Sequence, residues 1–502
     1  LIHPWPGRMP GVLFRALILA SILDEEDLGL FWQLLRHRGR SRVGRGLTFL
    51  DPFAGSGTSL VEASSLGMSV VGADVNAVAW LVSRATLLWE PPRRIIEAAN
   101  YVVERVKPLA LRLYSTRAPD GERVVARAFF WVRTVVCERC GSPVRLFKTY
   151  KLARSGGRAW VYCPSCHTVF RAEEEAATCP SCGEAPKPTG RGRYYVCPTC
   201  GYVGLITSSV RSFGKPGMEL FAVMYSSQGN VWVKAAERED LEVYSKAVSL
   251  AARVPSGFLD LALRRGEETS RILRYGYLNF RELFNARQLV MLYALARAIR
   301  GVRGRAAEFL ALALSKTLGF ATVLTPYSYV CGKPESALAL HQFTFEKMYM
   351  EINILERIRG SFVNNVLNVV KAKEYTSSIL GRSGHATVLK LDSRRLELPP
   401  SSVDLVVTDP PHFGNVINSG LADLHYALLK AVVGHRYAEF SGERSCDDES
   451  EIVWDPVRGK GFEEFVRGLI QVFSKVRRAL KPEGVMVVLF RHWKVEAWDA
   501  LS

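Results

Sequence analysis

Short apolar runs that end at a glycine, an aspartate or a proline lie near both ends of the chain and predict buried β-strands. In the N-terminal part these runs cover 47–50 and 69–73, and apolar spacing between them predicts a helix over about 59–66 that ends at Gly67. Three further runs cover 386–391, 404–408 and 485–490. A strand, loop, helix and strand in this order predict a parallel sheet with right-handed crossovers.

A long stretch with a different pattern separates the two groups of strands. Helical periodicity dominates 76–108, 280–299, 306–317 and 345–358. We therefore expect an α/β fold whose parallel sheet is interrupted after its second strand by a large insertion. The predicted units are the N-terminal part of the sheet domain (1–125), two cysteine-rich ribbons (130–208), a mostly helical insertion (209–380) and the C-terminal part of the sheet domain (381–502).

The charge balance points to a polyanionic partner. The 502 residues carry 66 Lys and Arg against 49 Asp and Glu, which gives a formal net charge of +17. Such a surplus favours nucleic acid ahead of a membrane surface, and the alternative is a basic surface that binds nothing. Hydrophobic content of 48% and charged content of 23% are ordinary for a soluble globular protein, and the length predicts about three domains.

No uninterrupted apolar stretch reaches the roughly 18 residues that a membrane-spanning helix needs. Of the two best candidates, 13–23 contains Arg15, and 306–324 contains Glu308 and Lys316. No signal-peptide pattern opens the chain, so we expect a soluble cytoplasmic protein with no membrane partner. The sequence begins at Leu1 and stops directly after a helix-like segment over 495–501, and we therefore expect a fragment at both ends.

Eight of the ten cysteines form Cys-x-x-Cys pairs, namely Cys137/Cys140, Cys163/Cys166, Cys179/Cys182 and Cys197/Cys200. Two-residue spacing lets both thiolates of a pair bind one ion, and two pairs complete a tetrahedral zinc site. A disulfide framework is typical of short secreted chains, not of a basic chain of this length. The pairs therefore predict two structural zinc ions. Cys331 and Cys446 stand alone and are interpreted as packing residues.

The order of the pairs predicts two zinc ribbons. The first two pairs flank a hairpin-like stretch with a glycine turn at 155–157, and the last two flank another with a turn at 190–192. Sequential pairing is favoured, in which each zinc is held by two consecutive pairs, and nested pairing stays open. Between Cys140 and Cys197 basic residues are interleaved with aromatic ones, which suits a nucleic-acid surface. The aromatic residues can equally form the small core of a ribbon.

Ligand sites of open α/β sheets lie at the carboxyl ends of the strands. The residues that follow the first three predicted strands are Phe53, Ala54, Gly55 and Gly57, then Asp74, then Asp392. The glycines let the backbone approach a ligand, and the phenylalanine and alanine line that turn. The first aspartate can bind a ribose diol, and the second can accept a hydrogen bond from the amino group of an adenine. Together they predict a pocket for an adenosine-containing cofactor.

Two other kinds of nucleotide pocket fit the glycine loop less well. The segment Gly55-Ser-Gly57-Thr-Ser-Leu60 lacks the third glycine of the dinucleotide fingerprint. It also lacks the Gly-Lys-Ser/Thr ending of a phosphate-binding loop.

The fourth predicted strand runs into Asp409, Pro410, Pro411, His412 and Phe413. The aspartate can accept a hydrogen bond from the exocyclic amino group of a nucleobase. The carbonyl of Pro410 can accept a second one, and two prolines hold that carbonyl in place. The rings of His412 and Phe413 can stack on a base pulled out of its helix. Alone, the segment fits equally well a buried strand that ends in a proline-rich turn.

Two segments together, Asp51-Pro-Phe-Ala-Gly-Ser-Gly57 and Asp409-Pro-Pro-His412, resemble the signatures of S-adenosylmethionine-dependent amino-methyltransferases of the DNA adenine/cytosine type. More closely, the chain resembles the zinc-ribbon-containing adenine-specific DNA methylases of prokaryotes, and the similarity extends over 3–6, 51–76, the two ribbons, 283–288 and 408–429. The resemblance implies a Rossmann-like methyltransferase sheet. It also implies a cofactor site made of His3, Asp51, Phe53, Gly55, Gly57 and Asp74, and a catalytic tetrad made of Asp409, Pro410, Pro411 and His412.

The implied reaction is direct methyl transfer to an amino nitrogen that Asp409 and the Pro410 carbonyl orient, with no covalent enzyme intermediate. The family usually has Tyr, Phe or Trp where this chain has His412; Phe413 supplies the missing ring, or activity is weakened. An aspartate in first position favours N6 of adenine in DNA. The alternatives are transfer to guanine N2 or adenine N6 of RNA, and a catalytically inactive zinc-ribbon protein that binds nucleic acid.

Overall fold

The computed structural model describes residues 2–173, 178–339, 341–380, 385–411, 413–414, 418–492 and 495–499. In these ranges the α-helices are α1 (Gly11–Ala20), α2 (Leu28–Arg36), α3 (Thr58–Ser65), α4 (Ala77–Leu87), α5 (Pro92–Leu113), α6 (Ile206–Phe213), α7 (Arg238–Ala251), α8 (Glu267–Leu273), α9 (Ala286–Arg300), α10 (Ala306–Thr317), α11 (Phe362–Leu380), α12 (Asn418–Val433), α13 (Phe462–Ala479) and α14 (Val495–Asp499).

The strands in the same ranges are β1 (Thr48–Asp51), β2 (Ser69–Asp74), β3 (Ser115–Arg117), β4 (Arg123–Val136), β5 (Pro143–Arg145), β6 (Lys151–Ser155), β7 (Arg158–Tyr162), β8 (Val169–Ala172), β9 (Gly190–Arg191), β10 (Tyr194–Val196), β11 (Val203–Leu205), β12 (Gly217–Ser227), β13 (Asn230–Ala235), β14 (Tyr327–Ser328), β15 (Lys333–Pro334), β16 (Met348–Ile352), β17 (Ala386–Lys390), β18 (Val403–Thr408) and β19 (Leu480–Val488). No helix in this described part of the chain is long and apolar enough to cross a membrane.

A five-stranded parallel sheet forms from the five strands that the sequence predicts. Their order is β17-β2-β1-β18-β19, with β1 in the centre. Phe49 of β1 lies opposite Val70 of β2 on one side and Leu405 of β18 on the other. The carboxyl ends of all five strands therefore meet at one edge of the sheet, which is where the predicted site residues stand.

Helices cover both faces of this sheet because neighbouring side chains of a strand point in opposite directions. Phe49 and Leu405 pack against residues of α1 and α3, whereas Leu50 and Val406 pack against α13. All four side chains are at most 1% exposed. The prediction of a mixed α/β fold with a parallel sheet is confirmed, and the long insertion between β2 and β17 is present.

A second, antiparallel sheet lies within the insertion, and the sequence did not indicate it. Its strand order is β13-β12-β4-β16, with β3 and β5 also paired to β4. The helix predicted over 345–358 is wrong, because this segment forms β16, in which Met350 pairs with Phe130 of β4. A short apolar run fits either a helix or a strand by periodicity, and here its pairing with the long strand β4 decides.

The helix predicted over 76–108 is also divided. It forms α4 and α5, with Pro91 as the residue before α5 and Pro92 as its first residue. Proline fits the first turn of a helix but restricts the residue before it to an extended conformation, so α4 cannot continue through this pair.

Candidate active site and metal centres

A cavity opens at the carboxyl edge of the parallel sheet, with about 140 Å³ available to the centres of water-sized molecules. It is lined by most of the predicted site residues, namely Asp51, Phe53, Ala54, Gly55, Asp74, Asp392, Asp409, Pro410 and Pro411. These residues come from the ends of β1, β2, β17 and β18. The fold therefore brings together segments that lie more than 300 positions apart in the sequence.

The loop between β1 and α3 has the conformation that its glycines allow. Gly55 has a φ of 50° and Gly57 a φ of 72°, and this left-handed region is strained for other residues. A Cβ atom on Gly55 would lie 3.0 Å from Nε1 of Trp5, and one on Gly57 would lie 3.1 Å from Cα of Ser83. Gly55 therefore lets the N-terminal segment close over the loop, while Gly57 lets the loop pack against α4 and does not line the cavity.

Asp51 joins the three segments around the cavity. Its Oδ1 accepts hydrogen bonds from the backbone N–H of Phe53 at 3.0 Å and from the hydroxyl of Thr408 at 2.6 Å. Its Oδ2 accepts from the hydroxyl of Ser59 in α3. Burial raises the pKa of Asp51 to about 6, and the Asp409 carboxylate adds to this rise. Asp51 therefore positions its neighbours more than it offers oxygens to a ligand.

Asp74 holds the loop from the other side. Its Oδ2 accepts from the backbone N–H of Gly55 at 2.9 Å, and its Oδ1 accepts from that of Asn76 at 2.8 Å. Asp74 is partly exposed and lines the cavity, and each carboxylate oxygen keeps a further lone pair for a ligand. Burial raises the pKa of Asp74 to about 6 against the opposing effect of these two hydrogen bonds.

Asp392 also lines the cavity, but its carboxylate is engaged. The guanidinium of Arg394 forms an ion pair with it at 2.8 Å, and the backbone N–H of Arg394 donates to Oδ1 at 3.0 Å. Asp409 is half-buried, and Pro410 beside it is buried. The two carboxylates lie at different walls of the same cavity, at the ends of β17 and β18.

Besides Gly57, three predicted site residues are not among the described residues that line the cavity. His3 does not line the cavity, because Nε2 of its buried ring lies 3.0 Å from the hydroxyl of Ser315, and that hydroxyl lies 2.9 Å from Nδ1 of His425. Phe413 is 5% exposed and packs against Trp454, with 5.0 Å between the ring centroids. It therefore belongs to an aromatic core. His412 lies outside the described residues.

Sequence reasoning did not assign the rest of the cavity wall. Trp5 and Arg8 come from the N-terminal segment, whereas Cys446 and Glu451 come from the loop between α12 and α13. Arg458 forms an ion pair with Glu451 at 2.9 Å, which holds that loop against the cavity. The tryptophan stands in a Pro-Trp-Pro segment that gives a local signal, but no motif marks the loop because only the fold brings it to the sheet.

The ionisable side chains that line the cavity are mostly acidic. Among the described residues, the carboxylate and guanidinium side chains of the lining are Asp51, Asp74, Asp392, Asp409, Glu451 and Arg8. Such a lining disfavours a ligand rich in phosphate groups and suits one that carries positive charge.

Two groups of four cysteines lie in the ribbon region, and their pairing is nested. Cys137, Cys140, Cys197 and Cys200 form the outer group, and Cys163, Cys166, Cys179 and Cys182 form the inner one. The favoured sequential pairing is therefore wrong. The apolar side chains around the outer group form one core that includes Val144, Leu146 and Tyr195, so the segments on both sides of the inner ribbon fold together.

Both groups have the spacing of a tetrahedral zinc site. Sγ atoms of the outer group lie 3.7 and 3.8 Å apart, and those of the inner group 3.5 and 3.6 Å. Four thiolates at about 2.3 Å from one Zn²⁺ stand about 3.8 Å from one another. The prediction of two sets of four cysteines is confirmed, and both are compatible with structural zinc.

A residue with positive φ follows each Cys-x-x-Cys pair. Gly141, Gly183 and Gly201 have φ values of 74°, 76° and 71°. Each donates its backbone N–H to the carbonyl of the first cysteine of its pair, at 2.9 to 3.0 Å. After the remaining pair, Cys163/Cys166, the residue with positive φ is His167, at 60°. Its Nδ1 lies 2.6 Å from the hydroxyl of Tyr162. These turns aim both sulfur atoms of a pair at one point.

No family model matches the chain, and no similar protein emerges from comparisons with curated proteins or with solved structures.

Proposed function

We propose that this chain is an S-adenosylmethionine-dependent methyltransferase that acts on the exocyclic amino group of a nucleobase, with N6 of adenine in DNA as the favoured target. The observation that carries the proposal is the shared cavity. The glycine loop after β1, Asp74 after β2 and Asp409-Pro410-Pro411 after β18 all line it. A nucleotide-type pocket and two acceptors for an amino group therefore adjoin each other.

The charge of the cavity fits the cofactor. S-adenosylmethionine carries a sulfonium and an ammonium group and only one carboxylate. The acidic lining of the cavity, in which Arg394 and Arg458 already pair with Asp392 and Glu451, suits these two cations. Arg8, the single guanidinium or ammonium group among the described residues of the lining, suits the carboxylate of the cofactor. A dinucleotide cofactor, whose phosphates need backbone N–H groups or cations, fits this lining poorly.

Each residue of the pocket has a defined part in the proposal. Asp74 accepts hydrogen bonds from ribose hydroxyls through the lone pairs that Gly55 and Asn76 leave open. Phe53 and Asp392, which line the cavity, would hold the adenine ring of the cofactor. When bound, the cofactor supplies an electrophilic methyl group.

Asp409 accepts a hydrogen bond from the amino group of the target base, and the carbonyl of Pro410 accepts the second. Together they direct the nitrogen lone pair out of the base plane, and the Asp409 carboxylate stabilises the positive charge that develops on nitrogen. Asp51 acts through Thr408, the last residue of β18, which directly precedes Asp409. It is therefore a positioning residue.

Calorimetry with S-adenosylhomocysteine tests the cofactor site directly. We expect the wild-type chain to bind it and Asp74→Asn to bind it about tenfold or more weakly, because the variant loses charge-assisted hydrogen bonds to the ribose. Asp260→Asn, at an exposed aspartate outside the cavity, is the matched control and keeps wild-type affinity. Absence of binding by the wild-type chain would contradict the proposal.

A further inference from the structure

A second cleft adjoins the acidic cavity and has the opposite charge. It offers about 570 Å³ to the centres of water-sized molecules, and α3, α4, α10, α11 and the N-terminal segments line it. Arg8, Ser56 and Thr58 line both spaces, so the N-terminus of α3 forms a common wall. The Nε of Arg8 donates to the hydroxyl of Thr58 at 2.8 Å, which fixes the guanidinium at this wall.

Four cations line this basic cleft, namely Arg8, Arg38, Lys316 and Lys371. Among the residues that the structure describes, none of the four has a carboxylate oxygen within 4 Å. Glu62 is the single acidic residue of the lining, and it is already paired with the buried guanidinium of Arg15 at 3.3 Å. Glu62 also interacts electrostatically with Arg38 and Arg8, and four cations against this one carboxylate leave the cleft with a surplus of positive charge.

Further arginines and one exposed aromatic ring lie on segments that line the cleft. The segment 36–45 contains five exposed arginines, namely Arg36, Arg38, Arg40, Arg42 and Arg45. Tyr375 on α11 lines the cleft and is 45% exposed, so its ring is accessible for stacking. Cations next to an exposed aromatic ring form the usual binding surface of a polynucleotide strand. Burial lowers the pKa of Lys316, and a bound phosphate would offset that cost.

We propose that the basic cleft binds the phosphate backbone of the nucleic-acid substrate beside the nucleotide whose base enters the acidic cavity. The inference rests on the proposed function for its choice of substrate. The two spaces differ in charge. The mostly acidic lining of the cavity disfavours phosphate, whereas Arg38, Lys316 and Lys371, with Arg8 at the common wall, attract it to the cleft. The common wall at Arg8 and Thr58 brings the two ligands next to each other.

Fluorescence anisotropy with short fluorescein-labelled oligonucleotides tests the cleft in the full chain without any cofactor. The test variant is Arg38→Gln/Lys371→Gln, because both side chains are exposed and their loss leaves the core intact. The control is Lys246→Gln/Arg253→Gln, which removes the same charge from exposed positions outside both spaces. Single-stranded and duplex DNA and RNA form the four arms, and the tightest arm identifies the polynucleotide.

We expect the cleft variant to bind about tenfold or more weakly than the control at moderate salt. We also expect the slope of log affinity against log salt to fall by about 2, because each lost phosphate contact removes about one unit. S-adenosylhomocysteine affinity, measured in parallel, stays at the wild-type value. A failure of the wild-type chain to bind that ligand would therefore overturn the proposed function alone. Equal oligonucleotide binding by both variants, or no oligonucleotide binding by the wild-type chain, would overturn the cleft. Binding to phosphatidylserine vesicles in place of oligonucleotides would overturn it too.

Discussion

Thr408, the last residue of β18, donates its hydroxyl hydrogen to Oδ1 of Asp51, the last residue of β1, at 2.6 Å. Both side chains are buried, at 0% and 2% exposure. This bond ties the strand that carries the glycine loop to the strand that carries Asp409. It therefore fixes how the two halves of the proposed active site, which are far apart in the sequence, meet in the fold.

Replacing Thr408 by valine keeps the shape of the side chain and removes this bond. We expect the free energy of unfolding to fall by roughly 1–3 kcal/mol, because the buried carboxylate of Asp51 loses a hydrogen-bond donor. Denaturant unfolding measures the change. Thr376→Val is the control, since that buried hydroxyl donates only within its own helix, at 3.3 Å to the carbonyl of Lys373. If both substitutions lowered the free energy of unfolding equally, the hydrogen bond to Asp51 would stabilise the fold no more than the local bond of Thr376.

Nested cysteine groups predict a specific zinc stoichiometry. Serine at all four inner positions, Cys163, Cys166, Cys179 and Cys182, leaves the outer group of four intact. We expect this variant to keep one of the two zinc ions of the wild-type chain, as measured by elemental mass spectrometry of the purified protein. Under sequential pairing each zinc site would instead lose two of its four ligands, so a variant that retains no zinc would contradict the nested arrangement.

Cofactor binding should weaken in acid. Asp74 is proposed to accept ribose hydrogen bonds as a carboxylate, and burial raises its pKa to about 6. Between about pH 7 and about pH 5 most of this carboxylate becomes protonated, so we expect the affinity for S-adenosylhomocysteine to fall about tenfold. Asp74→Asn, which has no titrating group there, should show a smaller change. If the affinity of the wild-type chain and that of Asp74→Asn changed equally with pH, protonation of Asp74 would not be the cause of the loss.

The buried His3–Ser315–His425 cluster predicts that stability falls in acid. Burial lowers the pKa of His425 from 6.5 to about 4, so between these values the unfolded chain takes up a proton that the folded chain does not. The contribution of this group is thus complete above about pH 6.5 and is lost as the pH falls towards 4. We expect His425→Gln to lose less of its free energy of unfolding between these pH values than the wild-type chain.

The wild-type chain must be compared with His425→Gln because Asp51 and Asp74 change the free energy of unfolding with pH in the opposite direction. Their pKa values rise from 3.8 to about 6 in the fold, so their contribution grows as the pH falls through this range. Both proteins share those groups, and the difference between them isolates His425. His37→Gln, at an exposed position, is the control and should follow the wild-type curve.

The parallel sheet could be predicted from the sequence because each strand is a local apolar run that ends in a distinct residue. Strand β17 begins at the predicted Ala386, and β18 ends at the predicted Thr408. The antiparallel sheet could not, since β4 pairs with β12 and β16, which lie far along the chain. Its pairing turns an apolar run around Met350, which also fits a helix, into a strand.

In the candidate site, too, the residues marked by a local motif could be predicted, whereas those that only the fold brings to the cavity could not. Asp51, Asp74 and Asp409 stand at strand ends, where a motif and a predicted strand together locate them. The order of the cysteine pairs favours sequential groups, whereas the fold places the sulfur atoms in nested groups, with a shared core around Tyr195 beside the outer one. Glu451 and Arg8 reach the cavity through loops that no local pattern places at the sheet. His3 was expected at the cofactor site from the family resemblance, but its ring contacts Ser315 and does not line the cavity.

The central claim is methyl transfer to a nucleobase amino group, and nucleoside mass spectrometry tests it most directly. DNA and RNA are incubated separately with the full chain and with S-adenosylmethionine that carries a deuterated methyl group, then digested to nucleosides. We expect deuterated N6-methyladenine from DNA with the wild-type chain and none with Asp409→Ala, although that variant still binds S-adenosylhomocysteine. Labelled product from RNA alone would move the substrate to RNA. No labelled nucleoside from either polymer, or undiminished product with Asp409→Ala, would contradict the account.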